Sequence, residues 1–472
     1  MNSSKLYSIL EYFNKYEQNS LRKYLLSPYF NKNQTLVELF EILLKNINAK
    51  NPKELTKELI WKKLIKIGAY DDVRFRKHFS DLLKLVEGFL AQQVFEENPV
   101  VQATYLIDAV GRKKMEKLYN STMKSARRLS EQQLYRSASY YYYQYQVEKN
   151  YFDLAESEHD RTAKRNVEDI VNNLDRFYLA EKLKFYCHVL SQQYVTSHEY
   201  KVLFIEEIID HLKNYNYHDA PAIEIYLQIY LTQKEHENND HYHKLKELID
   251  THGNKFPNSE AEFFYSSAMN YCIRKVNQGN QNFLNELFEL YKGLIQTELI
   301  FVDGELSPWN FKNIVSCALR LGKYKWTEDF INNYNKYIPD DFRANAVSFN
   351  LAQLYFYQKE YNKVIELIQT VEYEDFTYNL NSKLVLMMIY YETDEIEPLY
   401  FLTESFRAYL NRHKDIPESR KKGIKDFIKF TRKLTKIRPR DKKELLKLKE
   451  EIDMAKGTFS ANWLKEKIAE LE

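Results

Sequence analysis

The stretch NAVSFNLAQLYFYQKEYNKVIELIQTV, residues 345–371, has the clearest structural pattern in the chain. Apolar residues recur every three or four positions on both sides of a polar break that ends at Tyr361. This spacing is typical of two short amphipathic helices joined by a turn. We therefore expect a helical hairpin over this stretch.

The neighbouring segments repeat this pattern, with LSPWNFKNIVSCALRLGKYKWTEDFINNYNKYIP before the hairpin and LNSKLVLMMIYYETDEIEPLYFLTESFRAYL after it. If Pro308, Asn345 and Leu380 are equivalent positions, the units are offset by 37 and 35 residues. Offsets of this size are periods of helical solenoids. The second helix of each unit is then predicted to begin at Tyr324, Tyr361 and Ile396. The predicted core positions are Ile314/Val315/Ala318, Leu351/Ala352/Tyr355 and Leu386/Met387/Tyr390 in the first helices, and Thr327/Ile331/Tyr334, Val364/Ile368/Val371 and Leu399/Thr403/Phe406 in the second.

These three units resemble tetratricopeptide repeats, a family of helix–turn–helix units with a 34-residue period. The resemblance covers residues 306–410, and the small residue that the family favours early in the second helix is absent. It is carried by Asn350-Leu351-Ala352, Tyr355, Gly322-Lys323-Tyr324 and Pro339.

The resemblance implies an all-α, right-handed α-solenoid or superhelix of antiparallel helix pairs, with a concave groove that binds peptides or protein segments. It implies no catalytic activity. By the resemblance, the groove-facing positions of the three units include Lys312, Ser316, Arg320, Gln353, Tyr357, Met388 and Glu392.

The domain organisation follows from the same patterning. Residues 1–98 are predicted to form an N-terminal helical region that ends before Pro99, in which Asp71 or Asp72 begins a helix. Residues 99–410 are expected to be tetratricopeptide-like helical repeats, and residues 411–472 basic helices that cap the stack. No stretch alternates cleanly enough to predict a strand.

Composition limits the function classes. The chain has 472 residues with only 10 Gly and 10 Pro, too few for a β-rich or loop-rich protein. Its 69 Lys+Arg against 67 Asp+Glu give a net charge of +2, which favours neither nucleic acid nor membrane overall. The Asn, Lys and Tyr bias suggests an AT-rich bacterial genome.

The expected location is the cytoplasm. Three widely spaced cysteines, an odd count, indicate a reduced compartment. No apolar segment resembles a signal peptide near the start. The longest markedly apolar run, Leu384–Tyr391, is far shorter than the roughly 20 residues that span a bilayer.

The common catalytic signatures are missing, including nucleophile elbows, phosphate-binding loops and His-Glu-x-x-His. We therefore expect no enzyme, no cofactor and no metal. The run KEHENNDHYH with His236, His241 and His243 fits a polar loop better than a metal site. Glu156-x-x-His159 has di-iron spacing in a single copy only, and the tyrosines at 140–143 fit a core face with an amphipathic rim.

Two segments support an alternative function. The predicted helix–turn–helix at residues 54–90 places Arg74, Arg76 and Lys77 near the start of its second helix, where a recognition helix meets DNA. Residues 411–449 contain 16 Lys+Arg and 5 Asp+Glu, a local net charge of +11. Candidate nucleic-acid contacts there are Arg432, Lys433, Lys436 and Arg438.

The sequence thus predicts a non-catalytic cytoplasmic scaffold whose groove binds a protein or peptide segment, with no membrane partner. The alternative is a nucleic-acid-associated regulator that uses the basic 411–449 segment or the helix–turn–helix at 54–90. An enzyme with an unfamiliar helical active site is a third interpretation.

Overall fold

The computed structural model describes residues 4–49, 54–65, 68–155, 165–195, 199–370, 376–413, 416–455 and 457–472. These residues form α-helices joined by short turns, apart from two brief 3-10 turns and one small hairpin. The prediction of an all-α chain is therefore confirmed at the level of fold class. The chain divides into two compact units, Met1–Leu227 and Gln228–Glu472.

The helices of the first unit are α1 Lys5–Glu11, α2 Lys15–Leu26, α3 Gln34–Ile47, α4 Lys57–Leu64, α5 Asp72–Glu97, α6 Pro99–Arg112, α7 Glu116–Glu131, α8 Ala138–Ala155, α9 Val167–Val195, α10 Ile205–Asn214 and α11 Pro221–Lys234. The division between the units falls within α11.

Side-chain caps explain where several of these helices begin. Asn14 Oδ1 accepts from the N–H of Glu17 at 3.0 Å, and Glu17 Oε2 accepts from the N–H of Asn14 at 2.8 Å. This reciprocal pair satisfies donors that the first turn of α2 leaves unpaired. Asp71 caps α5, and the helix begins at Asp72, which is one of the two predicted starts. Asn98 caps α6, which has Pro99 in its first turn.

Helix α3 lies at the centre of the N-terminal core. It packs against α1, α2, α4 and α5, and its residues Leu39, Phe40 and Leu43 are fully buried. Leu10 of α1 and Leu82 of α5 complete the same cluster. Further along, α6, α7 and α8 pack on one another, and α8 packs along α9.

The helices of the second unit after α11 are α12 Asp240–His252, α13 Asn258–Asn277, α14 Asn282–Gln296, α15 Pro308–Arg320, α16 Tyr324–Tyr334, α17 Asp340–Tyr357, α18 Tyr361–Thr370, α19 Phe376–Glu392, α20 Ile396–Arg412, α21 Glu418–Leu434, α22 Lys442–Met454 and α23 Ala461–Leu471.

The predicted repeat register agrees with these boundaries. Helices α16, α18 and α20 begin at Tyr324, Tyr361 and Ile396, the three predicted starts. Helix α15 packs against α17, and α17 packs against α19, so the first helices of successive pairs are neighbours. The predicted core position Val371 lies outside the described residues.

The turn within each pair repeats with the same period. Gly322, Lys359 and Asp394 have left-handed backbones, with φ of 70°, 63° and 58°. They are separated by 37 and 35 residues, which are the offsets predicted from the apolar pattern. The N–H of the following residue bonds back to the carbonyl five positions earlier in each turn, at 3.0, 2.9 and 2.8 Å. This is the Schellman termination of a helix, and it leads directly into the next helix.

The second helices contribute buried side chains to the core between the paired helices. Thr327, Val364 and Leu399, which occupy the position where the resembled family favours a small residue, are all fully buried. A smaller residue at this position would let the two helices approach more closely. The β-branched or long side chains fill that space instead.

The prediction that the chain has no strand is wrong at one place. Strands β1 Phe301–Val302 and β2 Glu305–Leu306 form an antiparallel hairpin before α15. The turn between them is Asp303-Gly304, with φ of 52° and 80°. Asp-Gly favours this two-residue hairpin turn, and two-residue strands are too short to alternate visibly.

The predicted three-part division stays a prediction. The break between α5 and α6 coincides with the predicted boundary after residue 98, whereas the boundary after residue 410 falls within α20. Within the described ranges, every helix is too short or too polar to cross a bilayer.

Candidate functional site

The seven residues predicted to face a groove all line one cavity in the second unit. This interhelical cavity has a volume of about 660 Å³. It also contains residues from the second helices and from α23. The predicted residues in its lining are Lys312, Ser316 and Arg320 of α15, Gln353 and Tyr357 of α17, and Met388 and Glu392 of α19.

Helical periodicity explains why these residues converge. On each helix they are spaced four residues apart, so that they lie on one face one turn above another. Because α15, α17 and α19 lie side by side, the three faces form a continuous wall. Their role as partner contacts remains a prediction.

Aromatic rings and long cations define the chemistry of this wall. The rings of Tyr324 and Tyr357 lie 6.4 Å apart. The ammonium of Lys312 lies 5.2 Å from the ring centre of Trp309 and 5.8 Å from that of Phe349. Such contacts hold a cation in place over the negative face of a ring. The wall is therefore amphipathic, with ring surface beside fixed charge.

Helix α23 supplies a wall that the sequence did not reveal. Phe459 and Ser460, which precede it, and its residues Asn462, Trp463, Glu466 and Lys467 line the same cavity. The sequence predicted only that this helix caps the stack. Trp463, Leu464 and Ile468 are buried in the core formed with α19 and α21, so that α23 is a structural part of the unit.

Glu392 binds α23 instead of facing open solvent. Trp463 Nε1 donates to Glu392 Oε1 at 2.9 Å, and Lys467 Nζ lies 2.8 Å from the same oxygen. Lys467 Nζ also donates to Glu470 at 2.7 Å. Burial disfavours the ammonium, yet the hydrogen bonds to Glu392 and Glu470 raise the pKa of Lys467 overall. One predicted partner contact is thus already occupied by the chain itself.

Asn381 of α19 is part of the cavity lining, but its amide nitrogen is buried. Its side chain is 8% exposed, and its Nδ2 has no hydrogen-bond partner among the residues that the structure describes. A buried amide without a partner costs about 1–3 kcal/mol.

The three basic residues of the predicted helix–turn–helix lie on the surface of the protein. Arg74, Arg76 and Lys77 are exposed near the start of α5. The guanidinium of Arg74 lies 6.0 Å from the Trp61 ring, and Arg76 forms an ion pair with Asp72. Helices α4 and α5 both pack on α3, and α5 also packs on α2 and α6.

Asp72 reduces the positive charge at this helix start. Its carboxylate accepts hydrogen bonds from Tyr70 at 2.7 Å and from Lys57 at 2.9 Å, in addition to the ion pair with Arg76. These donors hold the pKa of Asp72 well below its usual range. Among the described residues, Arg74 and Lys77 have no ion-pair partner, so two of the three predicted cations are not neutralised and Arg76 is.

The basic C-terminal segment is also partly neutralised. Arg432 pairs with Glu404 and stacks on Tyr400, with 4.6 Å between the guanidinium carbon and the ring centre. Lys433 lies 2.6 Å from Glu451, whose pKa is lowered chiefly by that hydrogen bond. Lys436 and Arg438, by contrast, are exposed.

No metal centre is evident in the described part of the chain, where no group of three or more His, Cys, Asp or Glu converges. In the His-rich run, His241 Nε2 lies 3.1 Å from Glu235, and His236 lies 3.2 Å from Glu237. The Glu156-x-x-His159 motif lies outside the described residues.

The tyrosine run divides between core and surface, with Tyr141 buried and Tyr142 exposed.

Comparisons with protein-family models, curated proteins and solved structures each returned no match for this chain.

Proposed function

We propose that the chain is a non-catalytic interaction scaffold, a divergent tetratricopeptide-like α-solenoid that binds a segment of another protein in the interhelical cavity. One observation carries the proposal: the seven residues that the resemblance to tetratricopeptide repeats assigns to the groove line a single cavity. The repeated left-handed turns at Gly322, Lys359 and Asp394 support the solenoid interpretation independently of side chains.

The chemistry of the cavity suits a peptide. Ser316 and Gln353 offer a hydroxyl and an amide group that can both donate to and accept from a peptide backbone. Tyr324 and Tyr357 add ring surface that can cover an apolar side chain at a small entropic cost. A volume of about 660 Å³ accommodates a few residues of such a segment.

Helix α23 limits how the segment lies. Because Trp463 and Lys467 close the side beside Glu392, the partner contacts α15, α17 and the first part of α19. The cytoplasm is the proposed location, since Cys187, Cys272 and Cys317 are buried free thiols.

The test is a selection of displayed random peptides on the full chain, followed by anisotropy titration of the labelled winners. Ser316→Arg and Gln353→Arg would fill the cavity from partly exposed positions and should weaken binding at least tenfold. Glu328→Arg, on the exposed face of α16, is the matched control and should bind as the wild type does. Peptides that bind all of these proteins equally would refute the proposal.

A further inference from the structure

Internal ion pairs remove part of the basic C-terminal segment from solution. Glu451 of α22 lies 3.5 Å from Lys429 and 2.6 Å from Lys433 of α21. Lys421 pairs with Glu418 at 2.8 Å, and Arg432 pairs with Glu404. The pairs with Glu451 and Glu404 join α21 to α22 and to α20, whereas the Lys421–Glu418 pair lies within α21. The charge available to a partner must therefore lie elsewhere in the segment.

The remaining positive charge concentrates where α21 turns into α22. Six cationic residues of this region form a cluster that we call the basic turn. All six are exposed, and none has an ion-pair partner within the described ranges. The only acids between them are Asp441, which accepts the N–H of Glu444 at 3.3 Å, and Glu444 itself. The basic turn consists of Lys436, Arg438, Arg440, Lys442, Lys443 and Lys447.

The basic turn is held rigidly. The N–H of Arg440 donates to the carbonyl of Leu471, at the end of α23, at 2.7 Å. Arg440 adopts a left-handed backbone with φ of 69°, and Leu445 and Leu448 anchor the start of α22 in the core. The cations are thus presented on a fixed support, so little conformational entropy of the backbone is lost when a ligand binds.

We propose that the basic turn binds the phosphodiester backbone of a nucleic-acid duplex, a function separate from the cavity. Six neighbouring cations with only two acids between them, Asp441 and Glu444, repel one another, and a polyanion relieves this repulsion. A duplex carries one negative charge per roughly 1.7 Å of its axis, so that several phosphates fall within reach of one turn. Such binding needs cations alone and no base-reading side chain.

The surroundings of the basic turn favour a duplex over other polyanions. Single strands bind by stacking on exposed rings, but Phe427, Phe430 and Trp463 are buried. Membrane-surface helices insert a continuous apolar face, whereas the apolar face of α22 is turned into the core. Leu446 and Met454, 58% and 83% exposed, are too few to replace it.

The test is a titration of a fluorescein-labelled 24-base-pair duplex with the full chain at 50–200 mM salt, with DNA and RNA duplexes in separate arms. Six phosphate contacts predict that affinity falls about 10³-fold over this range. Changing Lys436, Arg438, Lys442 and Lys443 to Ala leaves two contacts and should reduce that fall to about tenfold.

The control variant changes the same number of exposed lysines elsewhere. Its salt dependence should match that of the wild type, and thermal unfolding should show that both variants are folded. The proposal is overturned if the wild type does not bind a duplex at 50 mM salt, if the two variants lose affinity equally, or if anionic vesicles or single strands bind more tightly than the duplex. The control residues are Lys15, Lys23, Lys32 and Lys45.

Discussion

The contact between Lys467 and Glu392 should stabilise the attachment of α23 strongly, and Lys467→Met tests this. The Lys467 side chain is 3% exposed and the Glu392 side chain 15% exposed, with 2.8 Å between Nζ and Oε1. Methionine retains the length of the apolar stem but removes the charge. Glu392 would keep only the indole donor of Trp463.

The expected loss of stability follows from the Glu392 charge that remains buried after Lys467 is replaced. Breaking a buried ion pair by removing one partner costs about 3–5 kcal/mol. Glu392 is slightly exposed and keeps one hydrogen bond, so we expect about 3 kcal/mol for Lys467→Met. Glu392→Gln preserves an acceptor for Trp463 and leaves Lys467 paired with Glu470, so about 1–2 kcal/mol is expected.

Hydrogen exchange of the α23 amides measures the free energy of opening of this helix directly. The double variant should lose about 2 kcal/mol less than the sum of the single variants, because the two side chains interact. Lys465→Met is the control on the same helix, since its side chain is 41% exposed and should cost under about 0.5 kcal/mol. A change below about 1 kcal/mol for Lys467→Met, or strict additivity, would show that the pair contributes nothing.

Three further predictions concern backbone and burial. Gly322→Ala should destabilise the chain by about 1–2 kcal/mol in thermal unfolding, because φ is 70°, whereas Gly253→Ala at φ of −55° should be neutral or stabilising. Gly423→Ala should destabilise by at least about 2 kcal/mol, since the new Cβ would overlap the carbonyl oxygen of Gly457; a melting temperature equal to that of the wild type would contradict this. Burial, with Arg74 as a second cause, lowers the pKa of His78, and both ring nitrogens lack partners in the described residues. The unfolded state therefore binds the proton more tightly, so stability should fall as pH drops through about 6.5, and His78→Gln should flatten that dependence in urea titrations from pH 8 to 5.

The repeat register was predictable because its signals are local. Apolar spacing identifies which face of a helix is buried, and a break of a few residues identifies the turn. Helix starts at Tyr324, Tyr361 and Ile396 follow from these signals without knowledge of any distant contact. The same logic placed Gln353 and Tyr357 on one face.

The role of α23 could not be predicted in this way. Trp463 and Glu392 are 71 residues apart, and periodicity identifies an apolar face without identifying the neighbour that covers it. The charge of the C-terminal segment was misleading for a related reason. Counting residues gives +11 over 411–449, but pairing of Lys433 with Glu451 and of Arg432 with Glu404 depends on which helices meet.

The Asp-Gly hairpin at 303–304 was missed for a different reason. Its signal is the turn itself, whereas strands are predicted from alternation of apolar and polar residues along the chain. Two residues on each side cannot show alternation, and the turn chemistry alone determines the structure. A scan for dipeptides that favour left-handed turns would have found it from sequence.

Because Glu392 already contacts Trp463 and Lys467 of α23, it is not a suitable position for testing binding in the cavity. A variant of Glu392 would disturb Lys467 and Trp463, so loss of a partner could follow from movement of α23 alone. Ser316 and Gln353 also line the cavity, and among the described residues neither forms a hydrogen bond or ion pair with α23. If Gln353→Arg abolishes peptide binding while hydrogen exchange of α23 is unchanged, the effect arises in the cavity. If Glu392→Gln weakens binding only in proportion to the opening of α23, the helix acts as a wall of the site and not as a competitor for it.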